Sequence, residues 1–305
     1  MYRTGIILFI IISFSIKCLG QQPQINAVDT IPYDSVNIVL KNKTDLIIES
    51  VFKPTPELNN ADSIRQAFDD LPSFGIYKNN YIVTGTAVGV KPTEDNSDAK
   101  FQISFMQRVT NSVLPFNTYL FITYTQLAYW DIYKESFPFG DINFNPTLGI
   151  GKVLSHNNRF LGTVFFQLEH ESNGKDKEDS RSWNKISLGT ILTLNRHWNV
   201  QGKLWIPLVD GENNKNIASY KGWGHFGVDY NNRRLNLGLL LTKRAGKFFD
   251  HNVTINFSYR IFKKENQHLF VEYYNGYGEN LLFFNKYHHR IRIGFVIQPS
   301  LLRIY

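Results

Sequence analysis

The chain has 305 residues, 43% hydrophobic, 15% aromatic and 19% charged, with a formal charge of +7 at pH 7. It is too apolar for a disordered polymer, and its mean hydropathy of −0.26 is too polar for a bundle of membrane helices. A single cysteine excludes an internal disulfide and any cysteine-built zinc site, and the modest, dispersed charge argues against nucleic acid as a partner.

The chain begins with Arg3, an apolar run over 5–15, and small residues at Cys18-Leu19-Gly20. This is the three-part pattern of a cleaved secretory signal over residues 1–20. Lys17 ends the run short of the ~20 apolar residues a membrane anchor needs. It also occupies the place where a lipoprotein signal carries a small residue, so no lipid anchor on Cys18 is expected. Cleavage removes the only cysteine together with Arg3 and Lys17. Residues 21–76 follow no strand pattern. A helical turn is expected at 63–68 and a short strand at 36–40, within an N-terminal periplasmic or loosely attached segment that carries no chemistry.

From Tyr77 onward, alternating segments of about ten residues are separated by polar turns. Strands are expected at 78–90, 99–110, 117–132, 142–155, 158–170, 183–195, 198–208, 219–230, 234–244, 250–262, 267–275 and 285–297. Twelve is an even number, as a closed bacterial barrel requires. The connections alternate between short ones (111–116, 156–157, 196–197, 231–233, 263–266) and longer ones (91–98, 133–141, 171–182, 209–218, 276–284), with 245–249 a short exception. Short periplasmic turns and long outer loops are the outer-membrane arrangement. The expected fold is therefore all-β, a twelve-stranded antiparallel transmembrane β-barrel over 77–305. Such a wall hides apolar residues in every second position, which reconciles many aromatics with low hydropathy. The last strand ends on an aromatic, Tyr305, as bacterial outer-membrane insertion signals do.

The stretch 164–184 holds the candidate chemistry. Val164, Phe166, Leu168, His170 and Ser172 share one strand face, while Phe165, Gln167 and Glu169 share the other. The first face is apolar and therefore lipid-facing, so an ionisable His170 on it is costly and a functional candidate. Asn184 shares a face with Ile186 and Leu188 and reaches the same outer surface across the hairpin. A serine hydroxyl is a weak nucleophile until a base takes its proton. Histidine can be that base, and a third polar group can hold its ring. Ser172, His170 and Asn184 supply these three types. The bland alternative is a pair of interface residues at a strand end.

The pattern His170-Glu171-Ser172-Asn173-Gly174 followed by Ser180-Arg181-Ser182-Trp183-Asn184 resembles the outer-membrane phospholipase A family of Gram-negative bacteria. Tyr124-Thr125-Gln126 with Trp130, Ser136-Phe137-Pro138-Phe139 and Tyr277-Gly278-Glu279-Asn280 support the likeness, and Lys100-Phe101-Gln102 is a weaker echo. The resemblance covers 77–305. It implies a barrel that hydrolyses phospholipid acyl esters, with calcium as cofactor and a homodimer as the active form. It also implies roles: Ser172 as nucleophile, His170 as general base and Asn184 as orienting residue. The N–H of Ser172, with Gly174, would form the oxyanion hole. The Lys175 carbonyl, the Ser180 hydroxyl and Ser136 of a second subunit would bind calcium, and Gln126 would lie at the dimer interface.

This chain departs from the family pattern in places. Lys175 stands for an arginine, which a carbonyl ligand tolerates. The stretch between Trp130 and Pro138 is shortened, Phe137 stands where a second serine can occur, and Gly140-Asp141 replaces an Arg-Glu pair, all beside Ser136. Asp176, Glu178 and Asp179 read as a solvated loop. By strand counting, the loops holding Ser136, Ser172 and Ser180 fall on one side of the membrane, at outer-leaflet headgroup level.

Other features carry less. His288 and His289 are adjacent and face opposite ways on a strand, so they are not a metal pair. His225 reads as a girdle residue. Asn42-Lys43-Thr44 and Asn252-Val253-Thr254 match a glycosylation pattern without meaning in a bacterial envelope. The rival reading is a non-enzymatic outer-membrane channel or structural barrel. A periplasmic soluble lipase lacks any Gly-x-Ser-x-Gly elbow at Ser172.

Overall fold

A computed structural model describes residues 60–232, 234–262 and 267–298. The signal over 1–20, the strand expected at 36–40 and Tyr305 lie outside those residues.

Helix α1 (Ala61–Asp69) leads into a short strand β1 (Phe74–Ile76) and then into β2 (Asn80–Ala87), β3 (Ser97–Arg108), β4 (Thr118–Trp130), β5 (Phe139–His156), β6 (Arg159–Ser172), β7 (Ser182–Thr193) and β8 (Trp198–Leu208). A one-turn helix α2 (Ile217–Lys221) precedes β9 (Gly224–Asn232), β10 (Leu235–Lys243), β11 (His251–Arg260), β12 (Gln267–Gly276) and β13 (His288–Ile297). Sequence neighbours from β2 to β13 pair antiparallel, and β13 pairs with β2, so the sheet closes. β1 pairs with β3 at Phe74↔Gln107, and β2 pairs with the earlier part of β3, so β1 and β2 form one interrupted wall strand. The barrel has the expected twelve antiparallel wall positions.

Several strand ends differ from the sequence reading. β6 runs on to Ser172, and β5 begins at Phe139, where it faces Trp130. The strand expected at 219–230 starts only at Gly224, because 217–221 winds into α2. That turn stops at Gly222 with φ +91, where a Cβ would sit 2.3 Å from the Lys243 carbonyl oxygen. The two-residue turn between β5 and β6 places Asn157 and Asn158 at φ +50 and +58, the left-handed pair such a hairpin needs.

Alternation is clear along β6. Phe166 and Leu168 are 45% and 48% exposed, while Gln167 and Glu169 are 1% and 5% exposed. The outer face is the lipid face and the lumen is polar. The lumen is filled rather than open. Lys100, Glu272, Glu279, Arg292 and Asp98 form one ion-pair network, and Glu169, Glu171, Lys185, Lys203 and Lys221 form another. Lys100, Glu272 and Glu279 of the first and Glu171, Lys185 and Lys221 of the second border a lumenal cavity of about 280 Å³.

At the short-turn end, α1 closes the barrel from within. Its N-cap Asn60 accepts from Ser63 N–H at 2.7 Å. Phe68 packs with Tyr119, Phe121, Phe165 and Ile191. Arg108 donates to the carbonyls of Phe68, Asp69 and Leu71 at 2.8, 2.6 and 2.7 Å, so one guanidinium satisfies the oxygens the helix end leaves open.

Candidate active site

The site is built where β6 and β7 reach the long-loop end. Register pairs His170 with Asn184, Glu171 with Trp183 and Ser172 with Ser182. Leu168 and Ile186, one repeat below, keep the surrounding wall apolar. Across the hairpin, His170 Nδ1 lies 2.8 Å from Asn184 Oδ1. Oδ1 can only accept, so Nδ1 carries the hydrogen and Nε2 is left with its lone pair. The His170 carbonyl accepts from the Asn145 side chain at 2.8 Å, next to Pro146, which has no N–H to give.

Ser172 ends β6, two residues beyond His170 and on the same face, opposite Phe144 of β5. Among the described residues its hydroxyl makes no hydrogen bond, so the serine and the histidine share a surface without yet being joined. Catalytic hydrogen bonds commonly tighten only when substrate is bound. On the lumen side of the same strand, Glu171 accepts from Trp183 Nε1 at 2.9 Å and pairs with Lys185 and Lys221 at 3.2 and 3.0 Å. The strand end carrying the candidates is thus anchored from behind.

The β6–β7 loop is organised by Asn173, which is buried. Its Nδ2 donates to the Asp179 carbonyl at 2.9 Å, and its Oδ1 accepts from Arg181 N–H at 2.9 Å and Lys175 N–H at 3.4 Å. Gly174 sits at φ +64, where a Cβ would come within 3.1 Å of the Phe144 ring. The Lys175 ammonium turns away to the Gly140 carbonyl at 3.1 Å. Ser180 lies in the same loop, its N–H donating to the Lys177 carbonyl at 3.1 Å. Asp176, Glu178 and Asp179 are exposed. Among the described residues no cluster of three or more His, Cys, Asp or Glu could hold a metal.

Two candidates lie apart. Ser136 is exposed in the neighbouring long loop after β4, at φ +64 with Phe137 at +46. Gln126 lies on the outer wall of β4, accepting from Tyr124 OH at 3.0 Å and registered against Ile103 and Phe144.

One residue of this site was missed in the sequence reading. Asp210 accepts from Asn184 Nδ2 at 3.0 Å and from Ser182 Oγ at 3.1 Å. It continues the outward series Leu204, Ile206, Leu208, and the β7–β8 register projects it beside Ser182, so parity and register together would have found it. His225, expected in a girdle, instead faces inward, between Lys203 in register and the edge of Trp205 at 5.7 Å. His288 pairs with Glu279 at 3.1 Å and His289 with Tyr273 at 3.0 Å, on opposite faces as expected.

A closed outer-membrane-type β-barrel with a histidine–asparagine pair on its lipid-facing wall defines the class. A family model described as Phospholipase A1 matches residues 69–297, and the chain belongs to that family of phospholipases. Phospholipase A1 of Salmonella typhimurium is 27% identical over 235 residues, covering 73% of this chain and 78% of that protein. Outer membrane phospholipase A from Escherichia coli has a similar fold, with a TM-score of 0.65 at 24% identity, over 74% of this chain and 98% of that one. The outer membrane phospholipase of Salmonella typhi, solved as a dimer with bound calcium, has a TM-score of 0.66 at 23% identity, over 83% of this chain and 97% of that one.

Proposed function

We propose that the protein hydrolyses the sn-1 and/or sn-2 acyl esters of phospholipids and lysophospholipids in the outer leaflet of the outer membrane. It does so as a calcium-dependent homodimer, exported through a signal over 1–20. Residues 21–76 form its N-terminal segment, whose last three residues pair into the barrel wall as β1, and 77–305 its barrel. The observation that carries this reading is the 2.8 Å His170–Asn184 contact on the lipid wall, with Ser172 one strand repeat further.

In this mechanism Asn184 holds the ring through Nδ1–H, and Nε2 takes the Ser172 proton as the oxygen attacks the ester carbonyl. The tetrahedral oxyanion forms beside the N–H of Ser172 and the Gly174 turn. The imidazolium then protonates the departing glycerol oxygen. Water repeats the cycle on the acyl-serine. Asn184 is neutral, so it orients the imidazolium with less charge stabilisation than a carboxylate would give. The lateral position on the wall lets a lipid reach the serine without entering a pore.

Calcium takes oxygen ligands, and the Lys175 carbonyl, the Ser180 hydroxyl and Ser136 of the partner subunit offer them. The fit is supported by the Lys175 ammonium turning to Gly140, which leaves its own carbonyl without a competing cation. The ion would supply positive charge next to the oxyanion. Neutral ligands predict weak affinity, in the range of about 10⁻⁴–10⁻³ M. A chelator is therefore expected to silence purified protein in mixed micelles, and calcium in that range to restore it. Full activity in chelator would remove the ion from the reaction. Product analysis on a phospholipid with two different acyl chains reads the position cleaved.

Gln126 is the polar exception on the β4 outer wall and is proposed to face its counterpart in the dimer. Gln126→Leu is expected to weaken dimerisation by about 0.6–1.7 kcal/mol, the range of interhelical hydrogen bonds in membranes, as read by cross-linking. Unchanged cross-linking would place the interface elsewhere.

A further inference from the structure

We propose that Asp210 is a positioning residue for the candidate triad, setting through Asn184 which nitrogen of His170 is free to act as base. The inference rests on the Ser172–His170–Asn184 reading above.

A primary amide has two ends of opposite character. If Asn184 were turned over, its NH₂ would face His170 Nδ1, and the ring would be held in the tautomer whose Nε2 carries the hydrogen and cannot accept from Ser172. Nothing within the hairpin forbids that. Asp210 does. Its carboxylate only accepts, and it stands 3.0 Å from Asn184 Nδ2. Turning the amide would set its carbonyl oxygen against that carboxylate. The arrangement that satisfies both neighbours has Nδ2 toward Asp210 and Oδ1 toward His170, with Nδ1 protonated. A carboxylate thus re-enters the array one residue further out, behind a neutral asparagine.

The carboxylate is held by a built arrangement. Its second oxygen accepts from Ser182 Oγ at 3.1 Å. The loop that carries it is stapled to the start of β7 by Asn214, which is fully buried. Asn214 Nδ2 donates to the Ser182 carbonyl at 2.8 Å, and its Oδ1 accepts from Ser182 N–H at 3.2 Å. Gly211 makes that close approach possible, since a Cβ there would fall 1.9 Å from Asn214 Oδ1. The inner staple fixes the loop, and the outer face of the loop delivers Asp210 over Asn184.

The test is a set of variants assayed as full chains on phospholipid in mixed micelles at saturating calcium, each checked for a folded barrel. Asp210→Ala is expected to lower kcat by about tenfold to a hundredfold, as loss of an outer-shell orienting partner does, with KM nearly unchanged. A reciprocal swap separates orientation from loop stability. Asn184→Asp alone sets two carboxylates against each other. Combined with Asp210→Asn, the pair again has one donor facing one acceptor, and His170 Nδ1–H again meets an oxygen. The double variant is expected to exceed Asn184→Asp alone by about tenfold or more in kcat. A folded Asp210→Ala with unchanged kcat, or a double variant no better than Asn184→Asp, overturns the assignment. Ser172→Ala in parallel tells the two failures apart. If it is inactive while Asp210→Ala is not impaired, only the role of Asp210 falls. If it retains full activity, the triad itself falls, and this inference with it.

Discussion

Ser172→Ala is expected to abolish ester hydrolysis, by about 10⁴-fold or more in kcat, while the barrel remains folded. The hydroxyl is the atom that would bond to the acyl carbon, and no neighbour can replace it. Ser182 lies opposite on β7, but its hydroxyl is given to Asp210. Stability should change little, within about 0.5 kcal/mol, because Ser172 Oγ makes no hydrogen bond among the described residues and the site is a strand end. His170→Ala is expected to cost nearly as much, since nucleophile and base act as a unit and their losses do not add. Asn184→Ala should cost less than either, because it removes orientation and not a reacting atom. Rates in mixed micelles at saturating calcium, with circular dichroism as the folding control, check all three. A folded Ser172→Ala protein with full activity would take the nucleophile away from this hairpin.

Strand parity singled out His170 and Asn184, while the roles of Ser172 and of the remaining candidates came only with the family resemblance. Polar His170 and Asn184 stand out on faces otherwise made of Phe166, Leu168, Ile186 and Leu188, and the register places them opposite each other. What parity could not read were contacts that depend on loop closure or on distance in sequence. Asp210 lies 26 residues from Asn184 and past the end of β8, so it is seen only when the alternation and the β7–β8 register are both carried beyond the strand. Residues 219–221 read as the start of a strand because the stretch is short and mixed in polarity; the structure winds 217–221 into α2, which Gly222 ends. The packing of α1 inside the barrel depends on Arg108, which alternation marks only as an inward charge. The same holds for the lumen. Inward Lys100, Asp98, Glu272 and Arg292 are visible as exceptions, but their partners lie up to 194 residues away. Closure of β13 on β2 is what brings them together.

Arg292→Met is expected to destabilise the barrel by about 3–5 kcal/mol, the cost of leaving buried charges uncompensated. Arg292 is 1% exposed. Its Nε and NH2 donate to the two oxygens of Asp98 at 2.7 and 2.9 Å, and NH1 donates to Glu272 at 3.3 Å and to Glu279. Removal leaves three carboxylates to Lys100, which already serves Glu272 and Glu279, to His288 at 3.1 Å from Glu279, and to Arg290 at 3.3 Å from Asp98. Methionine fills much of the volume, so the loss reads charge more than cavity. The denaturant midpoint of the folded barrel in detergent measures it.

The pH dependence gives a second reading of the same network. Burial alone would raise the carboxyl of Glu279, in the loop after β12, but Arg292 and Lys100 outweigh burial and hold it well below the usual carboxylate range. A depressed carboxyl contributes stability above its unfolded pKa and loses it as pH falls through the folded one. Without Arg292 the largest force opposing burial is gone, so the carboxyl is expected to rise, and protonation on acidification to relieve the unpaired charge. The deficit of Arg292→Met is therefore expected to narrow from neutral pH toward about pH 4, where an ordinary carboxyl begins to protonate. Glu279→Gln added to Arg292→Met should recover part of it at neutral pH, because it removes one of the uncompensated charges. An unchanged midpoint in Arg292→Met, or a deficit that widens in acid, would mean that the guanidinium does not compensate these carboxylates.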